Sequence, residues 1–318
     1  MRIFRHYTGI PAEYRGAVVA IGNFDGVHKG HQALIAAAKR HADAQGVPLG
    51  VLAFEPHPQE FFRPTPESFR LTPFRAKAHL IAEQGADVMF ALAFDAEMAK
   101  KSAQEFVLDV LVNGLGVSCV VVGSDFQFGK GRAGNVAVLS YMGEMEGFGV
   151  DVFEPVTADG HDKISSTRIR DMLKTGHPGE AAKLLGHWWT AEGRVEHGDK
   201  RGRTIGFPTA NMRIDDTLKP AYGIYAVKVT VFEDDKPVSQ HEGVANFGVR
   251  PMFKTETPLL ETYLFDFDGD LYGKHLAVAL VAYLRPEAKL EGLEALKARI
   301  AADSAAAHEA LKRPEPWK

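Results

Sequence analysis

The sequence predicts an α/β doubly wound parallel sheet followed by an antiparallel β domain that ends in a helix. Two observations carry this. From residue 17 to about residue 185, short apolar runs alternate with helical stretches, the β-α alternation of a parallel sheet. From about His187 the pattern changes to period two, the alternation of half-buried antiparallel strands. A chain of 318 residues has room for two domains. The change of pattern puts the boundary near Gly186-His187, giving domains 1–186 and 187–318.

In the first half the expected strands are residues 18–23, 49–54, 88–93, 117–123 and 150–153. Each is short and apolar, as fits strands covered on both faces. A helix over 32–44 follows the first strand. Thr72-Pro73 offers a cap and a proline at the first helical position, opening a helix over 74–84. Ser102-Ala103-Gln104-Glu105 is a capping box ahead of 106–113. A further helix over 165–174 closes at Gly176.

In the second half, strands over 222–232 and 238–246 flank the turn Glu233-Asp234-Asp235-Lys236-Pro237. Strands over 262–267 and 276–284, with the turn Asp268-Gly269-Asp270, form a second expected hairpin. A helix over 286–311 ends the chain. The pattern reads as a small antiparallel barrel or sandwich.

Apolar residues make up 45% of the chain and charged residues 25%, the composition of an ordinary globular protein. The formal charge of -4 argues against a general nucleic-acid binder. The one cysteine, Cys119, permits no internal disulfide and no zinc-finger framework. It sits in an apolar run and reads as a core thiol. Met1-Arg2-Ile3-Phe4-Arg5-His6 opens no long apolar stretch, so no signal peptide is expected. No apolar run approaches the roughly 20 residues of a membrane span. The expectation is a cytoplasmic protein acting on small molecules, without nucleic-acid or membrane partner, as a monomer or weak homo-oligomer.

Gly22-Asn23-Phe24-Asp25-Gly26-Val27-His28-Lys29-Gly30-His31 stands at a strand-to-helix turn, where helix N–H groups point outward and phosphate binds. His28 and His31, at i and i+3, face one side of the helix start. They read as donors to nucleotide phosphates, as two surface histidines, or with His57 as a zinc site. Gly22, Gly26 and Gly30 favour the first reading, because they allow close backbone approach to an anion. Ser165-Ser166-Thr167-Arg168-Ile169-Arg170 combines hydroxyls, helix N–H groups and arginines as a second anion site, or is an ordinary cap with solvated arginines. Gly129-Lys130-Gly131-Arg132-Ala133-Gly134 matches G-x-G-x-x-G but does not open directly off a strand. It reads as a mobile basic loop.

GNFDGVHKGH, FEPHP, VVGSDFQFG and ISSTRIR, in this order, resemble the successive motifs of the adenylyltransferase module of bacterial FAD synthetases. That module is similar to the wider H-x-G-H nucleotidyltransferase superfamily. The resemblance implies that His28 and His31 contact the triphosphate of ATP. Ser166, Thr167 and Arg168 would hold the phosphates from the opposite side. Asn23, Asp25 and Gly26 would line the nucleotide site. Phe62, Phe128 and Asp125, with Phe106 in addition, would contact the flavin. For each phenylalanine the alternative is core packing, most of all for Phe106.

The second dense stretch is residues 198–211, whose glycines and basic residues suit a phosphate-covering loop. Thr209 and Asn211 offer hard oxygen donors of the kind Mg²⁺ takes, or a polar strand face. Glu261 is a candidate general base, or a solvated edge glutamate. With Gly243-Val244-Ala245-Asn246-Phe247-Gly248-Val249-Arg250-Pro251, these stretches resemble the riboflavin kinase module, whose P-T-A-N is intact at Pro208 to Asn211. The resemblance implies that Gly202, Thr209 and Asn211 bind ATP and Mg²⁺ and that Glu261 activates the riboflavin 5′-hydroxyl. Tyr263 stands where histidine is frequent, and Met252 where threonine is.

Together the two resemblances cover almost the whole chain. They imply a nucleotidyltransferase-like, Rossmann-like sheet followed by an antiparallel β-barrel with a C-terminal helix. The implied activities are ATP-dependent phosphorylation of riboflavin to FMN and adenylylation of FMN to FAD with release of pyrophosphate. The competing classes are a flavin or nucleotide sensor on the same folds and a histidine-based metal hydrolase.

Overall fold

The computed structural model describes residues 1–64, 68–154, 156–158, 162–197, 207–214, 217–234, 236–249, 258–288 and 292–317. By packing, the chain forms two units. One is Met1–Pro66 with Phe74–Ser165, and the other is Glu67–Pro73 with Ser166–Lys318. This division falls ahead of the Gly186-His187 boundary drawn from periodicity, because two helices before the barrel pack with it.

The first unit carries β1 (Arg2–Phe4), β2 (Val18–Ile21), α1 (Lys29–Gln45), β3 (Leu49–Phe54), α2 (Pro58–Phe62) and α3 (Phe74–Glu83). It continues with β4 (Val88–Leu92), α4 (Ala96–Lys100), α5 (Ala103–Glu105) and a π-helical stretch (Phe106–Leu115). Then come β5 (Cys119–Gly123), β6 (Gln127–Phe128), β7 (Gly134–Asn135), α6 (Val136–Glu146) and β8 (Gly149–Phe153). A small hairpin of β9 (Thr157–Ala158) and β10 (Asp162–Lys163) closes the unit.

The principal sheet is wholly parallel, in the order β1-β4-β3-β2-β5-β8. Successive residues of β2 feed opposite cores. Val18 and Ala20 pack with Leu34, Ile35 and Ala38 of α1 and Ala78 and Ile81 of α3. Val19 and Ile21 pack with Val107 and Leu111 of the π-helical stretch and Leu139 of α6. All five expected strands are present. The edge strand β1 escaped the pattern because its three residues are largely exposed. The capping box holds: Ser102 Oγ accepts from Glu105 N at 3.1 Å, and the Glu105 carboxylate accepts from Ser102 N at 2.7 Å. The basic G-x-G-x-x-G loop is a defined turn, with Gly129 and Gly131 at positive φ, joining the paired strands β6 and β7.

Chain order runs outward from β2 to β3 and β4, then returns to β5 on its other side. The carboxyl ends of β2 and β5 therefore flank the point where strand order reverses, the crevice in which open α/β sheets bind ligands.

The second unit contains α7 (Ser166–Lys174), α8 (Pro178–Leu185), β11 (Thr190–Glu196), β12 (Ala210–Arg213), β13 (Gly223–Glu233), β14 (Lys236–Gly248), β15 (Leu259–Leu264), β16 (His275–Arg285) and α9 (Leu293–Leu311). Its strands close into an antiparallel barrel, in the order β11-β12-β15-β14-β13-β16. The first expected hairpin is β13-β14, reversing through Asp234 at φ 47°. The second is not formed. β15 pairs with β12 and β14, whereas β16 pairs with β13 and β11. The connection over residues 265–274 is too long to force neighbouring strands together.

The terminal helix begins at Leu293, not at residue 286. Gly292, at φ 87°, precedes it. Ala307, Ala310 and Leu311 of α9 pack against Ala226, Val244 and Val281 of the barrel. The short segment before α3 belongs to this unit: Trp189 Nε1 donates to the Leu71 carbonyl at 2.9 Å, and Arg170 Nε to the Phe69 carbonyl at 2.8 Å.

Candidate active sites

After β2 the backbone turns sharply. Phe24 (φ 50°), Gly26 (φ 83°) and Val27 (φ 39°) all take positive φ, and both non-glycine side chains are fully buried. A β-branched residue adopts this conformation only where its surroundings over-determine it. The turn delivers His28 as the N-cap of α1, with Nδ1 accepting from His31 N at 3.3 Å. An accepting Nδ1 carries no proton, so the neutral ring holds its hydrogen at Nε2.

The His31 ring stacks on His28 at 3.7 Å between centres and 12° between planes, and Phe24 closes its side at 5.2 Å. A Cβ on Gly30 would stand 3.2 Å from the His28 ring, so glycine gives that ring its room. His31 Nδ1 is buried without a hydrogen-bond partner. Burial first, then His28, then Lys77 hold the His31 pKa well below the ordinary histidine value. The turn thus presents two stacked imidazoles, with His28 Nδ1 engaged in the helix cap. Asp25 is buried within it, and Asn23 is exposed.

A cleft of about 750 Å³ opens at the strand ends, with Asn23 on its wall. Its walls are aromatic: Phe54, Phe62, Phe94, Phe106, Phe126 and Phe128. Phe126 and Phe128 stack at 5.4 Å, and Phe106 tilts against Phe128 at 5.6 Å. Phe106 is only 4% exposed, so it serves both the core and the cleft, whereas Phe62 is 63% exposed. Arg63, Lys101 and Arg132 bring positive charge to this wall. Lys101 is fixed by Asp109 at 2.6 Å, and that hydrogen bond raises its pKa. Asp125 also lines the cleft and pairs with Lys163. His57 caps α2, its Nδ1 accepting from Gln59 N at 3.1 Å. Among the described residues, no three His, Cys, Asp or Glu side chains are gathered for a metal ion, so the zinc alternative is not assembled.

Ser166, Thr167 and Arg168 occupy the first turn of α7, in the second unit. The barrel sets a polar row across three strands. Asn211 of β12 stands opposite Glu261 of β15, and Glu261 opposite Asn246 of β14. Cross-strand partners project to one face, so the three side chains are neighbours. Asn211 is buried, and Asn246 Oδ1 is buried without a partner. Thr209 lies just ahead of β12. Tyr263, on the Glu261 face, meets the Phe207 ring edge-on at 5.3 Å. Gly202 and Met252 lie outside the described residues.

Phe54 and Phe126, within the FEPHP and VVGSDFQFG motifs, and Asn246 were quoted without a role of their own, and sequence reasoning missed Phe94 and Lys101 in the cleft. The available signal was position: Phe54 ends β3, and Phe94 follows β4 at the carboxyl edge. A histidine-capped helix and an aromatic cleft in one unit, with an amide-carboxylate row on the barrel of the other, define a two-unit enzyme suited to phosphate chemistry on a flat aromatic substrate.

The comparisons with known proteins agree. Residues 10–168 match the FAD synthetase family model and residues 185–311 the riboflavin kinase model. The bifunctional riboflavin kinase/FMN adenylyltransferase of Escherichia coli (strain K12) is 41% identical over 306 residues, covering 96% of each chain. The protein of the same name from Pseudomonas fluorescens is 42% identical over 315 residues, covering 99% of each. A crystal structure from Streptococcus pneumoniae, described as a macrolide-efflux protein, superposes with a TM-score of 0.83 at 30% identity, covering 96% of this chain and 98% of that one. The chain belongs to the family of bifunctional riboflavin kinase/FMN adenylyltransferases. Among the described residues no helix is long and apolar enough to cross a membrane.

Proposed function

We propose that the aromatic cleft of the first unit is the adenylylation site and the Asn211-Glu261 row of the barrel the phosphorylation site. The chain is a riboflavin kinase and an FMN adenylyltransferase. In the barrel, the riboflavin 5′-hydroxyl gives its proton to the Glu261 carboxylate as its oxygen bonds to the γ-phosphorus of ATP, and ADP leaves. A neutral hydroxyl needs such a base. In the cleft, a phosphate oxygen of FMN bonds to the α-phosphorus of ATP, and pyrophosphate leaves. That nucleophile is already anionic, so this site needs alignment and charge stabilisation only.

The observation that carries the adenylylation site is the stacked pair of imidazoles at the N-terminus of α1, where helix N–H groups also favour phosphate. Ser166, Thr167 and Arg168 open a helix in the second unit, and their hydroxyls, N–H groups and guanidinium suit phosphate. Asn23, Asp25 and Gly26 shape the nucleotide side. Phe128, Phe62, Phe106 and Asp125 form the flavin side. Thr209 and Asn211 supply the hard oxygen atoms that suit Mg²⁺, so they would hold it with the ATP phosphates, where it neutralises charge on the transferring group. The protein works on small molecules in the cytoplasm, without nucleic acid, as a monomer or weak homo-oligomer.

The test separates the two steps. With riboflavin, ATP and Mg²⁺, FMN rises before FAD. His28→Ala lowers FAD formation from supplied FMN by about 10²–10³-fold, the effect of losing one preorganised donor, while FMN formation persists. Loss of both activities in a folded His28→Ala protein would sink the two-site assignment.

A further inference from the structure

Lys77 is one of the largest fully buried side chains of the protein, at 2% exposure. Its Nζ lies 2.6 Å from Glu55 Oε1, and that carboxylate side chain is itself only 8% exposed. Lysine and glutamate are almost never buried without a use for the charge, because desolvating both costs several kcal/mol per ion. No structural need explains the pair. It sits at an amphipathic position of α3, beside Ala76 and Ala78, where an apolar residue of similar volume serves packing as well.

Its place in the fold is specific. Glu55 directly follows β3, and β3 is the parallel neighbour of β2, whose carboxyl end carries the histidine turn. α1 and α3 cover the same face of the sheet. The pair thus lies in the layer behind the histidines, and the Lys77 charge is felt at His31.

We propose that Lys77, fixed by Glu55, is a positioning residue for adenylyl transfer that acts through His31. The inference rests on the reading of His28 and His31 as phosphate donors. An arriving triphosphate draws protons onto nearby imidazoles. Two stacked imidazolium rings would repel each other and change the donor pattern of the turn. An ammonium behind His31 opposes that protonation. Glu55 holds it in one place. Besides His31, the titratable groups on the elements meeting here are Asp25 and the cap His28 before α1, Lys29, Lys39, Arg40, His41 and Asp43 of α1, Glu55 after β3, and Arg75, Lys77, His79 and Glu83 of α3. Of these, Lys77 is a cation with a buried carboxylate partner.

The experiment compares Lys77→Met, the double variant Lys77→Met/Glu55→Gln, His31→Ala, and His31→Ala combined with the double variant. FMN formation from riboflavin reports that each chain folds. Replacing both partners leaves no lone buried charge, so the double variant is the decisive one. It should form FAD from supplied FMN roughly 10–100-fold more slowly, the loss met when a supporting partner of a site residue is removed. The acid limb of its pH profile should move to higher pH, because His31 then protonates more readily. In the His31→Ala background the double change should cost nothing further. An unchanged rate and profile in the double variant, while His31→Ala is impaired, overturns the proposal alone. So does full multiplication of the two losses, or a parallel loss of both activities. An unimpaired His31→Ala protein overturns the donor reading itself.

Discussion

His31 donates its backbone N–H to His28 Nδ1 at 3.3 Å, and the two rings lie stacked 3.7 Å apart. Cap and stacked pair are therefore one structure, and a proton on His28 Nδ1 breaks the cap. Burial, His28 and Lys77, in that order, hold the His31 pKa well below its ordinary value. Above roughly pH 6.5 neither folded nor unfolded chain protonates this ring, and nothing is lost. As pH falls below that value the unfolded chain takes up a proton that the folded ring refuses, so stability declines until the folded pKa is reached. The protection factors of amides in β2 and β5, referred to intrinsic exchange at each pH, should fall between pH 7 and pH 5, and fall less in His31→Gln. An equal fall in His31→Gln would assign the effect to another group.

The histidine turn was legible because its signals are local: an apolar strand, closely spaced glycines, and two histidines at helical spacing. The cleft was only half legible. Phe54, Phe94 and Phe126 stand at or just beyond the ends of three strands, and a linear pattern marks that carboxyl edge without saying which of its side chains line the cleft. Lys77 was invisible for a related reason. Its partner lies 22 residues away, and a lysine on a helix reads as solvated until its burial is known. In the barrel β11 was missed, but the identity of strands β13 to β16 was readable. Pairing of β15 with β12 and of β16 with β11 was not, since closure is a property of the whole barrel.

Phe128 owes its place to a glycine. A Cβ on Gly134, its partner across the β6-β7 pair, would stand 2.7 Å from the Phe128 ring. Gly134→Ala should therefore push the ring off its contacts with Phe126 and Phe106. The expected result is a raised KM for FMN in FAD formation, about 10-fold if the ring's lost contacts are worth roughly 1.4 kcal/mol. FMN formation from riboflavin should be untouched. An unchanged KM for FMN would remove Phe128 from the flavin site.

Arg285, the last residue of β16, clasps Asp303 of α9 through two hydrogen bonds, Nε to Oδ1 at 2.8 Å and Nη2 to Oδ2 at 2.6 Å. Both side chains are largely buried, and the hydrogen bond to Asp303 raises the arginine pKa. Asp303→Ala leaves a guanidinium without its counter-ion, which costs about 3 kcal/mol. The barrel should then lose α9 first: FMN formation should fail at a lower temperature than in the parent protein. The reading is wrong if heat inactivation of riboflavin phosphorylation is unaltered.

Glu261 and Asn246 face each other across β15 and β14, and the buried Asn246 Oδ1 has no hydrogen-bond partner. The Asn246 oxygen calls for a donor, and a hydroxyl-bearing substrate supplies one. Glu261→Gln keeps the shape and removes the base, so FMN formation should drop about 10²–10⁴-fold, with FAD formation from supplied FMN intact. Asn246→Asp is the sharper test. It sets a second carboxylate beside the first, and two like charges at that spacing resist ionising together. If Glu261 is the base, it must then be deprotonated against its neighbour, and the acid limb of riboflavin phosphorylation moves to higher pH. Adenylylation on the other unit keeps its own profile. An acid limb that stays in place in Asn246→Asp would mean that Glu261 does not take the proton.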